Sequence, residues 1–77
     1  MKKTNQDQDA RVTEISQFIR NWRVNDQISQ NDLANIAETH ANTIHNLETG
    51  KNVTLRTLLN CADALGITLS DLFDGIE

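Results

Sequence analysis

The sequence predicts an all-α fold, a compact domain of five helices with no strand, and three observations carry that expectation. The 77 residues contain no proline and only three glycines, so little in the chain interrupts a helix. Hydrophobic residues, 38% of the total, recur at spacings of three and four rather than alternating. Ser or Thr stands just ahead of several apolar segments, where the first turn of a helix needs a side-chain acceptor. A chain of this length is marginal as a domain unless its apolar side chains converge on one core, so the helices are expected to form a single unit.

Residues 1–9, MKKTNQDQD, show no apolar periodicity and read as a disordered polar tail, leaving 10–77 as the folded domain. Asp9 is a plausible N-cap for a first helix that carries Val12, Ile15, Ile19 and Trp22 at helical spacing and runs to Val24 or Asn25. Phe18 falls beside this stripe and either widens the core face or stands exposed for a partner. Ser29 caps a second helix, with Asp32 three residues on in the position of a capping-box acid, and Leu33, Ala34, Ile36 and Ala37 supply its buried side. Glu38, Thr39 and His40 form a turn. A third helix starts near Ala41, buries Ile44 and Leu47, and stops at Gly50, which can take the left-handed conformation of a helix C-terminus. Thr54 caps a fourth helix, whose Leu55, Leu58, Leu59, Ala62 and Leu65 form the longest apolar stripe, ended by Gly66. Thr68 and Asp71 cap a brief fifth helix holding Leu69, Leu72 and Phe73.

The stretch Ile28 to Gly50, ISQNDLANIAETHANTIHNLETG, is the most informative part of the chain. It holds two short amphipathic segments, each opened by a polar residue, separated by a tight turn and closed by glycine. Helices this short do not stabilise themselves, so the pair makes sense as a helix-turn-helix supported by the rest of the domain, and the usual partner of that module is the DNA major groove.

Composition narrows the other possibilities. The longest apolar runs are only a few residues and the N-terminus is polar from Lys2 to Asp9, which points away from membranes and export and toward the cytoplasm. Cys61 is the only cysteine and lies among Leu58, Leu59, Ala62 and Leu65, where it reads as a small buried apolar side chain. His40 and His45 are five apart, the wrong spacing to present two ligands on one side of a helix, so neither a metal nor any other cofactor is expected. No nucleophile elbow or other catalytic arrangement is present, so the chain is not expected to be an enzyme. The net charge of −4 repels phosphate on average. Its distribution is uneven, however: residues 58–77 carry Asp63, Asp71, Asp74 and Glu77 and no base, so the acidic excess is C-terminal and need not face nucleic acid.

From Ile15 to Phe73 the residues resemble the lambda repressor-like, or Xre/Cro, helix-turn-helix family. The resemblance is carried by Ser29-Gln30 at the start of the second helix and by the string Thr43-Ile44-His45-Asn46-Leu47-Glu48-Thr49-Gly50. A third string, from Leu55 to Phe73, follows the family's L-x-T-L-L-x-x-A-x-A-L-G-I-x-L-x-x-L-F pattern. Each string alone is weak, and together they are specific. The resemblance implies that Gln30 binds a DNA phosphate and that Ala41, Asn42, His45 and Asn46 face base edges. Thr43, Lys51, Asn52 and Arg56 would flank them on phosphates, whereas Arg20 reads as an ordinary surface residue. An Asn amide can accept from N6 and donate to N7 of adenine, and Ala41 can pack on a thymine methyl. The resemblance also implies a structural ion pair between Arg23 and Glu48.

The chain departs from the family at three points. Gln27 and Glu38 stand where glycine is common, and a left-handed non-glycine residue costs on the order of 1–2 kcal/mol. Thr39 replaces an apolar turn residue, and the recognition face has no Lys or Arg before Lys51, which implies a shallow salt dependence. The expectation is a DNA-binding transcriptional regulator, a repressor, that acts as a homodimer on a palindromic operator in double-stranded DNA, with Leu72, Phe73 and Ile76 as candidate dimer contacts. The chain ends soon after these residues, so no effector-sensing domain is expected. An alternative on the same fold is a protein-interaction module, antitoxin-like or adaptor-like, that binds a protein partner through the acidic C-terminal face.

Overall fold

The computed structural model describes residues 10–51 and 53–74. Five helices follow one another, α1 (Ala10–Asn25), α2 (Gln30–Ile36), α3 (Ala41–Glu48), α4 (Leu55–Leu65) and α5 (Leu69–Leu72), and no strand occurs among the described residues. The tail expected over residues 1–9, and Asp9 as a cap, lie outside the described residues.

The helix starts follow the side chains that precede them. Ser29 accepts from the Asp32 N–H, Thr54 from the Thr57 N–H and Thr68 from the Asp71 N–H, each satisfying one donor of a first turn. Only Thr68 and Asp71 close a reciprocal capping box, so the expected role of Asp32 as the returning acid is not met.

The ends of α1 to α4 share one geometry. After each helix a residue with positive φ, namely Gln27 (61°), Glu38 (58°), Gly50 (83°) or Gly66 (74°), donates its N–H three residues back. The next N–H reaches five residues back, as in Ile28 to Arg23 O and Thr39 to Ala34 O, which satisfies the last carbonyls of the helix. Gln27 and Glu38 hold this conformation without the freedom of glycine, with their own N–H and the next one both bonded back to the preceding helix.

α2 packs against α3 and α4, α1 also packs against α3 and α4, and α5 closes on α4. Each helix contributes one fully enclosed side chain to the centre: Ile19, Leu33, Ile44, Cys61 and Leu72. Ala34, Ala37, Leu47, Ala62, Leu65 and Ile67 complete the core. Phe18 is half-buried, packs against this core, and sets its ring 5.7 Å from that of Trp22, so it widens the core face.

Several apolar residues expected inside are not. Ile36 is 56% exposed because, at about 100° per residue, it falls on the opposite flank of Leu33 from Ala34 and Ala37, which take the core side. Leu55, in the first turn of α4, is 66% exposed, and Val12, Trp22, Leu69 and Phe73 stand at the edges of their stripes. In the other direction, Ser16 and Ile67 are buried without having been expected there, and Glu48 is buried as the partner of the expected ion pair.

Candidate nucleic-acid interface

α2, the Glu38 turn and α3 form the helix pair that the sequence suggested. On α3, Ile44, Leu47 and Glu48 face inward, Asn42 and His45 are exposed, and Ala41, Thr43 and Asn46 are half-buried at the margin. The outward face is therefore made of two amides, an imidazole and small side chains, with no carboxylate. Lys51 follows as an exposed cation. Thr49 Oγ1 donates to the carbonyls of His45 (2.8 Å) and Asn46 (3.2 Å), which closes the end of the helix on itself.

The inward face carries a polar lock. Arg23 Nε donates to Glu48 Oε2 at 2.6 Å and Nη2 to Oε1 at 3.0 Å, a bidentate pair whose planar fork fixes direction as well as distance. The remaining arm of Arg23, Nη1, donates to the Ile28 carbonyl at 2.7 Å. Gln30 Nε2 donates to Glu48 Oε1 at 3.1 Å. One carboxylate, its side chain only 2% exposed, thus joins α1, the start of α2 and the end of α3, and Arg23 ties in the connector before α2. The hydrogen bond to Glu48 raises the pKa of Arg23, partial burial opposes it, and the charge of Glu48 raises it further, so Arg23 holds its proton more firmly than a free guanidinium.

Sequence reasoning had placed Gln30 on a phosphate without seeing that its amide is already held from within. Nothing local signals this link, since Gln30 and Glu48 are 18 residues apart and meet only when α2 and α3 fold together. The second amide N–H of Gln30 is not used by Glu48, so the same group can donate outward.

The remaining expected site residues are distributed differently. Arg56 is exposed on α4 and lines a depression with Leu55, Leu59, Asn60 and Asp63, none of which belongs to α3. Leu72 is enclosed in the core of its own chain, which removes it from the candidate dimer contacts, because α5 turns that side chain toward α4. Phe73 is partly exposed, while Asn52 and Ile76 lie outside the described residues. Among the described residues no group of three or more His, Cys, Asp or Glu side chains is placed to hold a metal ion, and no helix is long and apolar enough to cross a membrane.

Two short helices joined by a left-handed turn, the second locked from behind and polar in front, define a helix-turn-helix DNA-binding domain. The chain belongs to the family of the Cro/C1-type HTH DNA-binding domain, which it matches over residues 19–77. Among solved structures it is similar to the restriction-modification controller protein C.AhdI from Aeromonas hydrophila, with 30% identity and a TM-score of 0.77 over 84% of this chain and 100% of that one. It is also similar to a hypothetical transcription factor, NHTF, from Neisseria, with 26% identity and a TM-score of 0.73 over 94% and 83% of the two chains. The controller protein C.Esp1396I, at 20% identity, shares the fold with a TM-score of 0.77 over 87% of this chain and 90% of that one. None of the curated proteins matches the chain significantly.

Proposed function

We propose that this protein is a sequence-specific transcriptional regulator, a repressor that binds a palindromic operator as a homodimer, with one α3 in the major groove of each half-site. The observation that carries this reading is the outward face of α3. Asn42 and Asn46 stand four residues apart on a helix whose direction is set by the Arg23–Glu48–Gln30 lock, and an asparagine amide matches the donor and acceptor pair of an adenine edge. His45 lies between them, and Ala41 is small enough to meet a thymine methyl. Gln30, Thr43 and Lys51 surround this face as the phosphate contacts. One module with so few cations holds a half-site weakly, so two modules are needed, with half-sites about one helical turn apart. The likeness to C.AhdI over the whole of that chain supports a controller role in a restriction-modification system.

The test is a fluorescence-anisotropy titration at low salt against the DNA upstream of the protein's own gene and against a scrambled duplex. Asn42→Ala and Asn46→Ala should each lower affinity for the operator by about 1–3 kcal/mol and leave the scrambled duplex unaffected. Gln30→Ala should weaken both duplexes about equally, because a phosphate contact carries no sequence information and the bidentate Arg23–Glu48 pair still sets the direction of α3. Equal affinity for all sequences, with no change in the Asn42/Asn46 double variant, refutes the regulator reading. That outcome favours an interaction module using the acidic C-terminal residues, among them Asp63, Asp71 and Asp74.

A further inference from the structure

α4 turns two different stripes in opposite directions. Cys61, Ala62 and Leu65 are buried in the core and Leu58 is half-buried beside them. On the other side, Leu55, Arg56, Leu59, Asn60 and Asp63 line a shallow depression of about 430 Å³. Asn60 and Asp63 also border a second depression of about 320 Å³, which reaches Ile36, Ala37 and Glu38 at the end of α2. One continuous surface therefore runs from Leu55 across α4 to Ile36, and these two residues are the most exposed large hydrophobics among the described residues. A helix face turned only to water has no reason to carry them, and such patches mark contact surfaces.

The charges on this face identify its occupant. Arg56 and Asp63 are seven residues apart, two helical turns along one stripe, and neither side chain makes a hydrogen bond or ion pair with another described residue. When two copies of α4 run antiparallel about a twofold axis beside Leu59 and Asn60, each Arg56 comes opposite the other copy's Asp63. Leu59 between them, and Leu55 beside Arg56, are then covered. A parallel arrangement opposes like charges, and a uniformly acidic or basic partner meets a repelling charge at one end. Duplex DNA is disfavoured by Asp63 and by Glu38, which lies on the same surface.

The geometry points to the outward face of α4, extended by Ile36, as a self-complementary interface with a second copy of this chain. The symmetry is that of an isologous contact, in which each residue meets its complement rather than itself. Arg56 then serves the protein–protein contact instead of a phosphate, and α4 replaces the C-terminal residues as the centre of the dimer surface. The inference deepens the proposed homodimeric regulator and rests on that reading for the need to dimerise.

The experiment is sedimentation equilibrium of the full chain without DNA. Arg56→Asp and Asp63→Arg should each weaken the dimer by about tenfold or more, because each opposes like charges across the axis twice. The combined variant, with the charges exchanged, should recover to within about threefold of the natural protein. Circular dichroism melts report whether each variant is folded; if a reversal unfolds the chain, Ile36→Ser with Leu55→Ser tests the same face and should also yield monomer. A natural protein that is monomeric at every concentration, single reversals without effect, or a combined variant as weak as the singles overturns the interface. No DNA enters this measurement, so a failed operator titration with an intact, charge-rescued dimer removes the regulator reading alone. A failed rescue with intact operator binding removes only the interface.

Discussion

Helices α3 and α4 each bury one stripe and turn the other outward, yet the two outward stripes differ in kind. That of α3 is made of amides, an imidazole and small side chains without a carboxylate, whereas that of α4 combines two leucines with an arginine near one end and an aspartate two turns on. Their inner sides differ as well. α3 is held by apolar packing at Ile44 and Leu47 and also by the directional bonds of Arg23 and Gln30 to Glu48, while α4 rests on apolar contacts, chiefly those of Cys61, Ala62 and Leu65. Hydrogen bonds of fixed geometry resist rotation and sliding more sharply than apolar contact, which is non-directional. In the proposed reading α3 has to match base edges and gains from such a lock, whereas α4 would meet a copy of itself over a broad patch and needs none. The comparison teaches that the kind of support behind a helix matches the tolerance of the contact in front of it.

Three sets of substitutions break or sharpen this contrast. The largest effect is expected from Glu48→Ala, which leaves the Arg23 guanidinium, its side chain only 11% exposed, without its charge partner. Breaking a buried pair costs about 3–5 kcal/mol, and the retained bond from Arg23 to the Ile28 carbonyl places this case at the lower end. Urea denaturation measures it. A loss no larger than that of Ile36→Ala would mean that the lock does not hold α3 and that packing supports both helices alike.

A smaller effect of opposite sign is expected at the two left-handed residues. Gln27→Gly and Glu38→Gly should each stabilise the fold by about 0.5–1 kcal/mol, since the relief of left-handed strain exceeds the added entropy of the unfolded chain. Thermal melts of the two variants test this. Destabilisation at Glu38 would show that its side chain, rather than its backbone, secures the turn into α3.

The last effect is confined to alkaline pH and concerns the inner side of α4. Burial, with a further contribution from the charge of Glu48, pushes the Cys61 thiol up from 9.0 to about 11. The folded chain keeps this proton where the unfolded chain releases it, so the contribution is fully present below pH 9 and is lost as pH rises toward 11. Urea midpoints followed across that window should fall more steeply for the natural protein than for Cys61→Ala. The chain has no tyrosine, which leaves few other groups to titrate there. Parallel slopes would show that the thiol is not enclosed and that the apolar support of α4 is looser than described.

Much of this molecule was legible in the chain itself. The starts at Ser29, Thr54 and Thr68, the stops at Gly50 and Gly66, and the five-helix order follow from local causes, because a cap or a left-handed glycine acts within a few residues of itself. The left-handed positions Gln27 and Glu38 were legible only through the family resemblance, since neither residue marks such a turn by its own chemistry. Which apolar residues lie inside was decided only by the tertiary structure. Ile36 and Leu55 have the composition and spacing of core residues, but a helix's inner direction is set by its neighbours, and their flank faces away from those. Ile67 and Ser16 are inside because other elements close over them. The bond from Gln30 to Glu48 and the pairing potential of Arg56 with Asp63 likewise depend on where whole helices sit. Local chemistry determines where helices begin and end, and only packing determines which way each one faces.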